Sequence, residues 1–108
     1  MMDEASWRHV LRLVGLGLRG RLAVVGVDRV RDAATNGTLV LAIVARDASK
    51  NSLDKVVPLL QAKGIRIVDG ITSATLGDVV GREATTVIGI VDAQLAKGIR
   101  GIVDAVRA

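Results

Sequence analysis

The sequence predicts a three-layer α/β/α domain built around a largely parallel β-sheet, and three observations carry this prediction. A helical pattern comes first and is followed by four strand–helix units, an alternation typical of a sheet covered by helices on both faces. The run over residues 39–45 is apolar on both faces, as a strand between two helical layers should be. Half of the 108 residues are hydrophobic but only Trp7 is aromatic, so the core must be aliphatic.

The first half of the chain predicts two helices and two strands. Asp3 or Ser6 can cap the first helix, and glycines at positions 15, 17 and 20 should loosen or end it. Its apolar stripe, with helical spacings of three and four, consists of Trp7, Val10, Leu11, Val14 and Leu18. A short strand over 22–25 leads to Gly26, which opens a second helix that Asn36-Gly37 ends. The strand over 39–45 follows.

The second half of the chain continues the strand–helix alternation. The predicted N-caps of its three helices are, in order, Ser49, Thr72 or Ser73, and Asp92. Its two strands are predicted over residues 65–68 and 86–91. Pro58 lies inside the third helix, where it removes a backbone donor and should cause a kink, and Gly64 ends that helix.

Composition limits the class of protein. The chain is expected to form one domain over residues 1–108, with a net charge of +4 that suits an anionic partner or an ordinary basic surface. Most of its fifteen basic residues are arginine, whose guanidinium group suits phosphate. The lack of cysteine excludes disulfides and thiolate catalysis, and a single histidine excludes a multi-histidine metal site. An acidic start and the lack of a long apolar run predict no signal peptide, no membrane contact and a cytoplasmic location.

Two apparent chemical motifs have simpler interpretations. The fragment from Gly15 to Gly20 matches the dinucleotide pattern G-x-G-x-x-G, but that pattern needs a strand before it and a helix after it. Here a helix precedes it and a strand follows, which favours a glycine-rich turn. His9 lies between Arg8 and Val10, and no carboxylate or serine is obviously placed to work with it in acid–base catalysis. The sequence therefore predicts a protein without catalytic activity, metal or other cofactor.

Two strand-to-helix loops are the candidate site. The first loop comprises residues 25–29 and the second loop comprises residues 69–73. A glycine at a helix start leaves backbone N–H groups free for an anion such as phosphate, and in a parallel sheet both loops open at the same end. Glycine and hydroxyl residues are also common in such loops for capping alone, so an ordinary turn remains an alternative to RNA binding. Neither loop contains an aromatic residue, so stacking on bases is not expected.

Several short stretches occur in the order and spacing of a known family. They are Val14-Gly-Leu-Gly-Leu-Arg19, the helix start at Gly26, Leu39-Val-Leu-Ala-Ile-Val-Ala-Arg-Asp-Ala-Ser49 with Asn51, Gly64-Ile65, Leu76-Gly77, Gly81-Arg-Glu-Ala84 and Val91-Asp92. Together they resemble the ribosomal L-seven-Ae / L-thirty-e superfamily, whose members bind kink-turn RNA, and within it the bacterial YlxQ-like branch. The resemblance implies an α/β/α sandwich around a four-stranded mixed β-sheet, with the last strand antiparallel to the others.

The resemblance also implies how RNA would be bound. Structured RNA, either ribosomal or another kink-turn RNA, would meet the start of the second helix and the loop before the short fourth helix. The backbone at Gly26 and Val27 would approach the RNA, and Asp28 and Arg29 would contact bases. Arg19, Arg21 and Arg31 would supply a positive field. Gly70, Ile71, Thr72 and Ser73 would close the second side, with Ile71 pressing on an extruded nucleotide.

The helix start departs from the family pattern. RNA-binding members begin it with Gly-x-Asn-Glu and place a lysine one turn later, whereas this chain has Asp28, Arg29 and Asp32. Asparagine both donates and accepts hydrogen bonds, but aspartate only accepts, so one base contact must change. Arg29 and Asp32 each reverse a charge, which alters the contacts with phosphate. A protein-interaction module on the same fold, forming a homodimer or binding another protein instead of RNA, is therefore the alternative.

Overall fold

The computed structural model describes residues 2–107, and within them five helices and four strands alternate in the predicted order. The elements are α1 Glu4–Arg19, β1 Ala23–Val25, α2 Val27–Thr35, β2 Leu41–Ala45, α3 Lys50–Ala62, β3 Arg66–Ile71, α4 Ser73–Val80, β4 Val87–Ile90 and α5 Ala93–Arg107. α1 runs unbroken through Gly15 and Gly17 and ends at Gly20. Gly17 belongs there because a methyl group at this position would overlap the side chain of Leu95 on α5.

The four strands form one mixed sheet in the order β1-β4-β2-β3. β2 and β3 are parallel, whereas β4 is antiparallel to both of its neighbours, β1 and β2. This confirms the mixed sheet implied by the family resemblance and corrects the largely parallel sheet predicted from the strand–helix alternation. α4 connects β3 to β4, and the chain re-enters the sheet through β4 at the end where β3 leaves it.

Helices cover both faces of the sheet. α1, α4 and α5 pack on one face, and α2 and α3 pack on the other. In β2, Leu41 and Ile43 contribute to the first of these cores and Ala42 and Val44 to the second, and all four are buried. Burial of this strand on both faces is thus confirmed, although its ladder begins at residue 41 rather than 39.

Side chains cap four of the five helices in the described part of the chain. In each case an oxygen of the cap side chain accepts from the backbone N–H three residues later. The cap and donor residues are Asp3 and Ser6 at 2.8 Å, Ser49 and Ser52 at 3.1 Å, Thr72 and Thr75 at 3.2 Å, and Asp92 and Leu95 at 2.8 Å. Asp3 rather than Ser6, and Thr72 rather than Ser73, are therefore the caps. α2 differs because its N-cap is Gly26, which has no side chain to offer.

Candidate functional site

Both predicted loops lie at one end of the sheet. β1, β2 and β3 all end there, and β4 begins there, because β4 runs against them. The start of β4 connects the loops: the Gly26 N–H donates to the Val87 carbonyl at 3.0 Å, and the Thr85 N–H donates to the Ser73 carbonyl at 3.0 Å. Residues 85–87 therefore hold the first and second loops in a fixed relation to each other.

Gly26 sets the backbone at the start of α2. Its φ of 97° lies in a region that glycine adopts readily and other residues do not, while a Cβ built there would meet no atom within 4 Å. Glycine is therefore needed for its conformation, and the space beside it is open. No side chain caps this helix, so the N–H groups of its first turn, at Val27, Asp28 and Arg29, have no side-chain acceptor among the described residues.

A groove of about 430 Å³ opens beside this helix start, and we call it the Gly26 groove. Its lining comes from the first loop, from α3 and from the segment after α4, and consists of Val25, Gly26, Val27, Asp28, Arg29, Ser52, Lys55 and Arg82. Three exposed cations, Arg29, Lys55 and Arg82, outnumber the one carboxylate, Asp28. An uncapped helix start beside several cations provides the contacts that a phosphate group needs.

Three residues of this groove, Ser52, Lys55 and Arg82, are not singled out by the sequence analysis. Arg82 follows Gly81 in a stretch that carries the family resemblance, and that was the one signal available for it. Ser52 and Lys55 belong to α3 and reach the groove only because α2 and α3 share one core. No local pattern marks either residue.

The other predicted arginines lie in different places. Arg19 lines a neighbouring groove of about 360 Å³ that also contains Arg82, so Arg82 lies between the two grooves. Arg31 reaches α3, where its guanidinium donates to the carbonyl of Lys55, and it does not line the Gly26 groove. Arg21 is exposed, has a left-handed φ of 61° and lines neither groove.

The second loop is held by hydrogen bonds to the rest of the sheet end. The Ser73 N–H donates to Oδ1 of Asp47 at 2.7 Å, and Thr72 caps α4 as described above. The hydrogen bond from the Ser73 backbone lowers the pKa of the Asp47 carboxyl below its ordinary value, with smaller help from the Ser73 side chain and from Arg46. Asp47 thus anchors the start of α4, although it lies just before α3 in the sequence.

Ile71, which the resemblance places against an extruded nucleotide, is mostly buried. Its side chain is 6% exposed and belongs to the core that contains Ile43 and Leu76. β3 extends to residue 71 instead of ending at 68, and the last position of the strand points inward. Only a small part of this side chain reaches the surface, where it lines a groove beside the second loop.

Two further findings concern the described residues 2–107. They contain no group of three or more His, Asp or Glu side chains arranged to hold a metal ion. None of the helices in this range combines the length and apolar character that crossing a membrane requires. His9 is exposed on α1.

Known proteins resemble this chain in sequence and in fold. No model of a protein family matches it. A protein of Bacillus subtilis (strain 168) named RNA-binding protein YlxQ is 29% identical over 92 residues, which are 85% of this chain and 92% of that protein. A structure of a protein with unknown function from Bacillus halodurans is 27% identical, with a TM-score of 0.79 over 88% of this chain and 96% of that one.

A more distant structure extends the fold comparison. The Giardia lamblia 15.5kD RNA binding protein has a TM-score of 0.80 and covers 99% of this chain and 92% of its own, at 22% identity. At that identity the likeness shows a shared fold. The YlxQ relative and the shared α/β/α architecture agree with the stretches quoted from the sequence. The chain is thus similar in sequence to RNA-binding protein YlxQ, the branch that the sequence resemblance indicated, and it shares the fold of the Giardia lamblia protein.

Proposed function

We propose that this chain binds structured RNA, without catalysis, at the Gly26 groove. The observation that carries the proposal is the uncapped start of α2 in one groove with Arg29, Lys55 and Arg82. Helix N–H groups and guanidinium groups both favour phosphate oxygens. The name of the relative, RNA-binding protein YlxQ, supports RNA as the source of those phosphates.

Asp28 and Arg29 are the side chains assigned to base edges. Both are exposed in the first turn of α2 and line the groove. Arginine pairs well with guanine acceptors, and a carboxylate accepts from the amino group of cytosine. Because these residues differ from the Asn-Glu pair of the family, the base contacts differ too, while the RNA is proposed to be a kink-turn of ribosomal or other origin.

The remaining parts of the proposal concern the wider surface. Arg19, Arg21 and Arg31 contribute to the positive field around the groove without contacting a base. The second loop forms the far side of the RNA surface through Gly70, Thr72 and Ser73. The chain acts as a single domain over residues 1–108, in the cytoplasm, with no cofactor.

The first test compares two RNAs by fluorescence anisotropy. A labelled kink-turn hairpin is titrated beside the same hairpin with its G·A pairs replaced, at near-physiological salt. Submicromolar affinity that is lost on replacement supports kink-turn recognition. Equal, weak and salt-sensitive binding to both hairpins contradicts it and leaves only attraction by the net charge of +4.

The second test places one glutamate at either end of α2. Gly26→Glu puts a carboxylate in the groove and should abolish RNA binding. Gly37→Glu is the matched control: Gly37 also has a positive φ, of 78°, and also has no atom within 4 Å of a built Cβ. Both variants add the same charge at a glycine of positive φ, so loss of affinity in both, or in neither, contradicts the proposed site.

A protein-interaction function is the second candidate, and one observation favours it. Leu16 and Leu22 are 55% and 36% exposed, and both lie beside the turn at Gly20. Exposed aliphatic side chains that are grouped can mark a contact between proteins. Size-exclusion chromatography and elution from heparin distinguish the two candidates. A monomer that heparin retains to high salt favours RNA binding. A dimer that heparin releases at low salt favours self-association.

A further inference from the structure

Trp7, the single aromatic residue of the chain, lies against the second loop. It belongs to the first turns of α1 and is half-buried. A Cβ built on Gly70 would lie 3.7 Å from Cζ2 of Trp7, so the indole packs on the backbone of the loop. This corrects the expectation that no aromatic ring is present at either loop, which failed because Trp7 is distant in sequence from the loop it contacts.

The indole lines a groove of about 370 Å³, which we call the Trp7 groove. The lining comes from the start of α1, the second loop and the first turn of α4, and consists of Glu4, Trp7, Arg8, Leu11, Gly70, Ile71, Thr72 and Thr75. Its volume is in the range of small-ligand sites, and its walls are mainly apolar. The Trp7 groove shares no lining residue with the Gly26 groove.

The charges in this groove favour a neutral ring over a phosphate. Its one cation, Arg8, is paired with Glu4 at 3.4 Å, so the groove has little net charge. Two of the N–H groups that open α4 are also occupied: that of Ser73 by Asp47 and that of Thr75 by the Thr72 hydroxyl. An anion would therefore meet a helix start that is already largely capped and a cation that is already paired.

The floor of the groove offers polar atoms that suit the edge of a base. The hydroxyl oxygens of Thr72 and Thr75 lie 2.8 Å apart and share one hydrogen bond. Two hydroxyl groups carry two hydrogens, and their mutual bond uses one of them. The other hydrogen can be donated to a carbonyl or ring nitrogen of a base that lies on the indole.

α4 fixes the distance between the two grooves. Thr72 and Thr75, at its start, line the Trp7 groove, and Arg82, just beyond its end, lines the Gly26 groove. A helix of 8 residues is about 12 Å long. This length corresponds to roughly three or four nucleotides at about 3.4 Å each along a strand. An RNA strand of that length spans α4, the helix that lies between the two sets of lining residues.

We propose that the Trp7 groove binds an unpaired base of the RNA held at the Gly26 groove, with the base stacked on the indole. The site rests on the proposed RNA-binding function and adds to it a second contact of different chemistry. The Gly26 groove holds phosphate, and the Trp7 groove holds an unstacked nucleobase. Stacking of this kind accepts any base, since each base has a π-face.

The intrinsic fluorescence of the protein tests this directly. Because the chain has one tryptophan and no tyrosine, its emission comes from Trp7 alone. The wild-type protein is titrated with the unlabelled kink-turn hairpin and with hairpins in which each unpaired nucleotide in turn is made abasic. We expect the intact hairpin to quench the emission and one abasic hairpin to bind without quenching.

The outcomes separate the two proposals. If anisotropy shows binding but no hairpin changes the Trp7 emission, the base site is wrong and the RNA-binding function stands. If the hairpin does not bind at all, both proposals fail. Quenching that is equal for every abasic hairpin also overturns the base site, because the signal then does not come from a stacked base.

Variants at position 7 supply an independent measurement. Trp7→Leu keeps an apolar contact with Gly70 but removes the ring, and it should weaken binding of the intact hairpin by about 5- to 100-fold. Trp7→Phe should restore most of that loss. Neither change should alter binding of the abasic hairpin that fails to quench. Circular dichroism checks the fold, and if Trp7→Leu unfolds, the wild-type fluorescence comparison decides.

Discussion

Thr85 donates its backbone N–H to the carbonyl of Ser73 at 3.0 Å, while its own hydroxyl oxygen is buried without a hydrogen-bond partner among the described residues. The backbone bond ties the start of β4 to the second loop. The side chain is 5% exposed, so the hydroxyl has lost its water without gaining a replacement. The residue therefore connects the two sides of the candidate surface at a cost in stability.

Thr85→Val should stabilise the protein. Valine has nearly the same shape and removes the unpartnered hydroxyl, so we expect the free energy of unfolding to rise by about 1 kcal/mol. Urea denaturation followed by circular dichroism measures the change. Thr86→Val, at a half-buried neighbour, is the control. A drop in stability for Thr85→Val would show that the hydroxyl has a partner after all.

Cations of the Gly26 groove should contribute to the salt dependence of RNA binding. Lys55→Ala and Arg82→Ala each remove one phosphate contact and should lower the slope of log K against log salt by about one unit. Lys97→Ala and Arg12→Ala remove the same charges from exposed positions on α5 and α1 outside the groove. Equal effects of site and control variants would mean that only net charge matters.

Gly77 should be essential for the position of α4. A Cβ at this position would lie 2.6 Å from the carbonyl oxygen of Arg82 and 2.8 Å from the nitrogen of Ala84. Because both atoms belong to the backbone, Gly77→Ala should cost about 1–3 kcal/mol of unfolding free energy. Gly101→Ala, in an open helical position, should instead add about 0.5–1 kcal/mol. Thermal melts of the two variants should therefore shift in opposite directions.

Acid should release the second loop from Asp47. Since the hydrogen bond from Ser73 lowers the pKa of Asp47 in the folded protein, the carboxylate favours folding above its unfolded pKa, about 3.9. That contribution is lost as the pH falls through the lower, folded pKa. The amide signal of Ser73 in two-dimensional NMR should titrate with a midpoint below 3.9. In Asp47→Asn this step should vanish, and a midpoint above 3.9 would contradict the interaction.

The order of elements and most helix caps could be predicted from the sequence because they depend on local patterns. Asp92 and Ser49 mark helix starts by their own hydrogen-bonding chemistry, and the strand at residues 41–45 is apolar on both faces because both are covered. Strand direction could not be derived in this way. It depends on where β4 enters the sheet, between β1 and β2, which no local pattern contains, and the family resemblance supplied the answer.

The candidate site was predicted only where it is local. Gly26 through Arg29 are contiguous, and a glycine before an amphipathic helix is a visible signal. Lys55 and Trp7 reach the sheet end through the packing of α3 and α1, which no short pattern contains. Ile71 shows the opposite error, because an apolar residue in a loop pattern proved to be the buried end of β3.

The position of β4 has a consequence for how the protein is made. β1 is paired with β4 alone, so Ala23, near the start of the chain, has Ile90 as its partner. During synthesis β1 cannot join the sheet until β4 has emerged. Until then the Gly26 amide has no Val87 carbonyl to bind. The RNA-facing end therefore forms late, after translation of the last strand, and a nascent chain cut short before β4 would lack it.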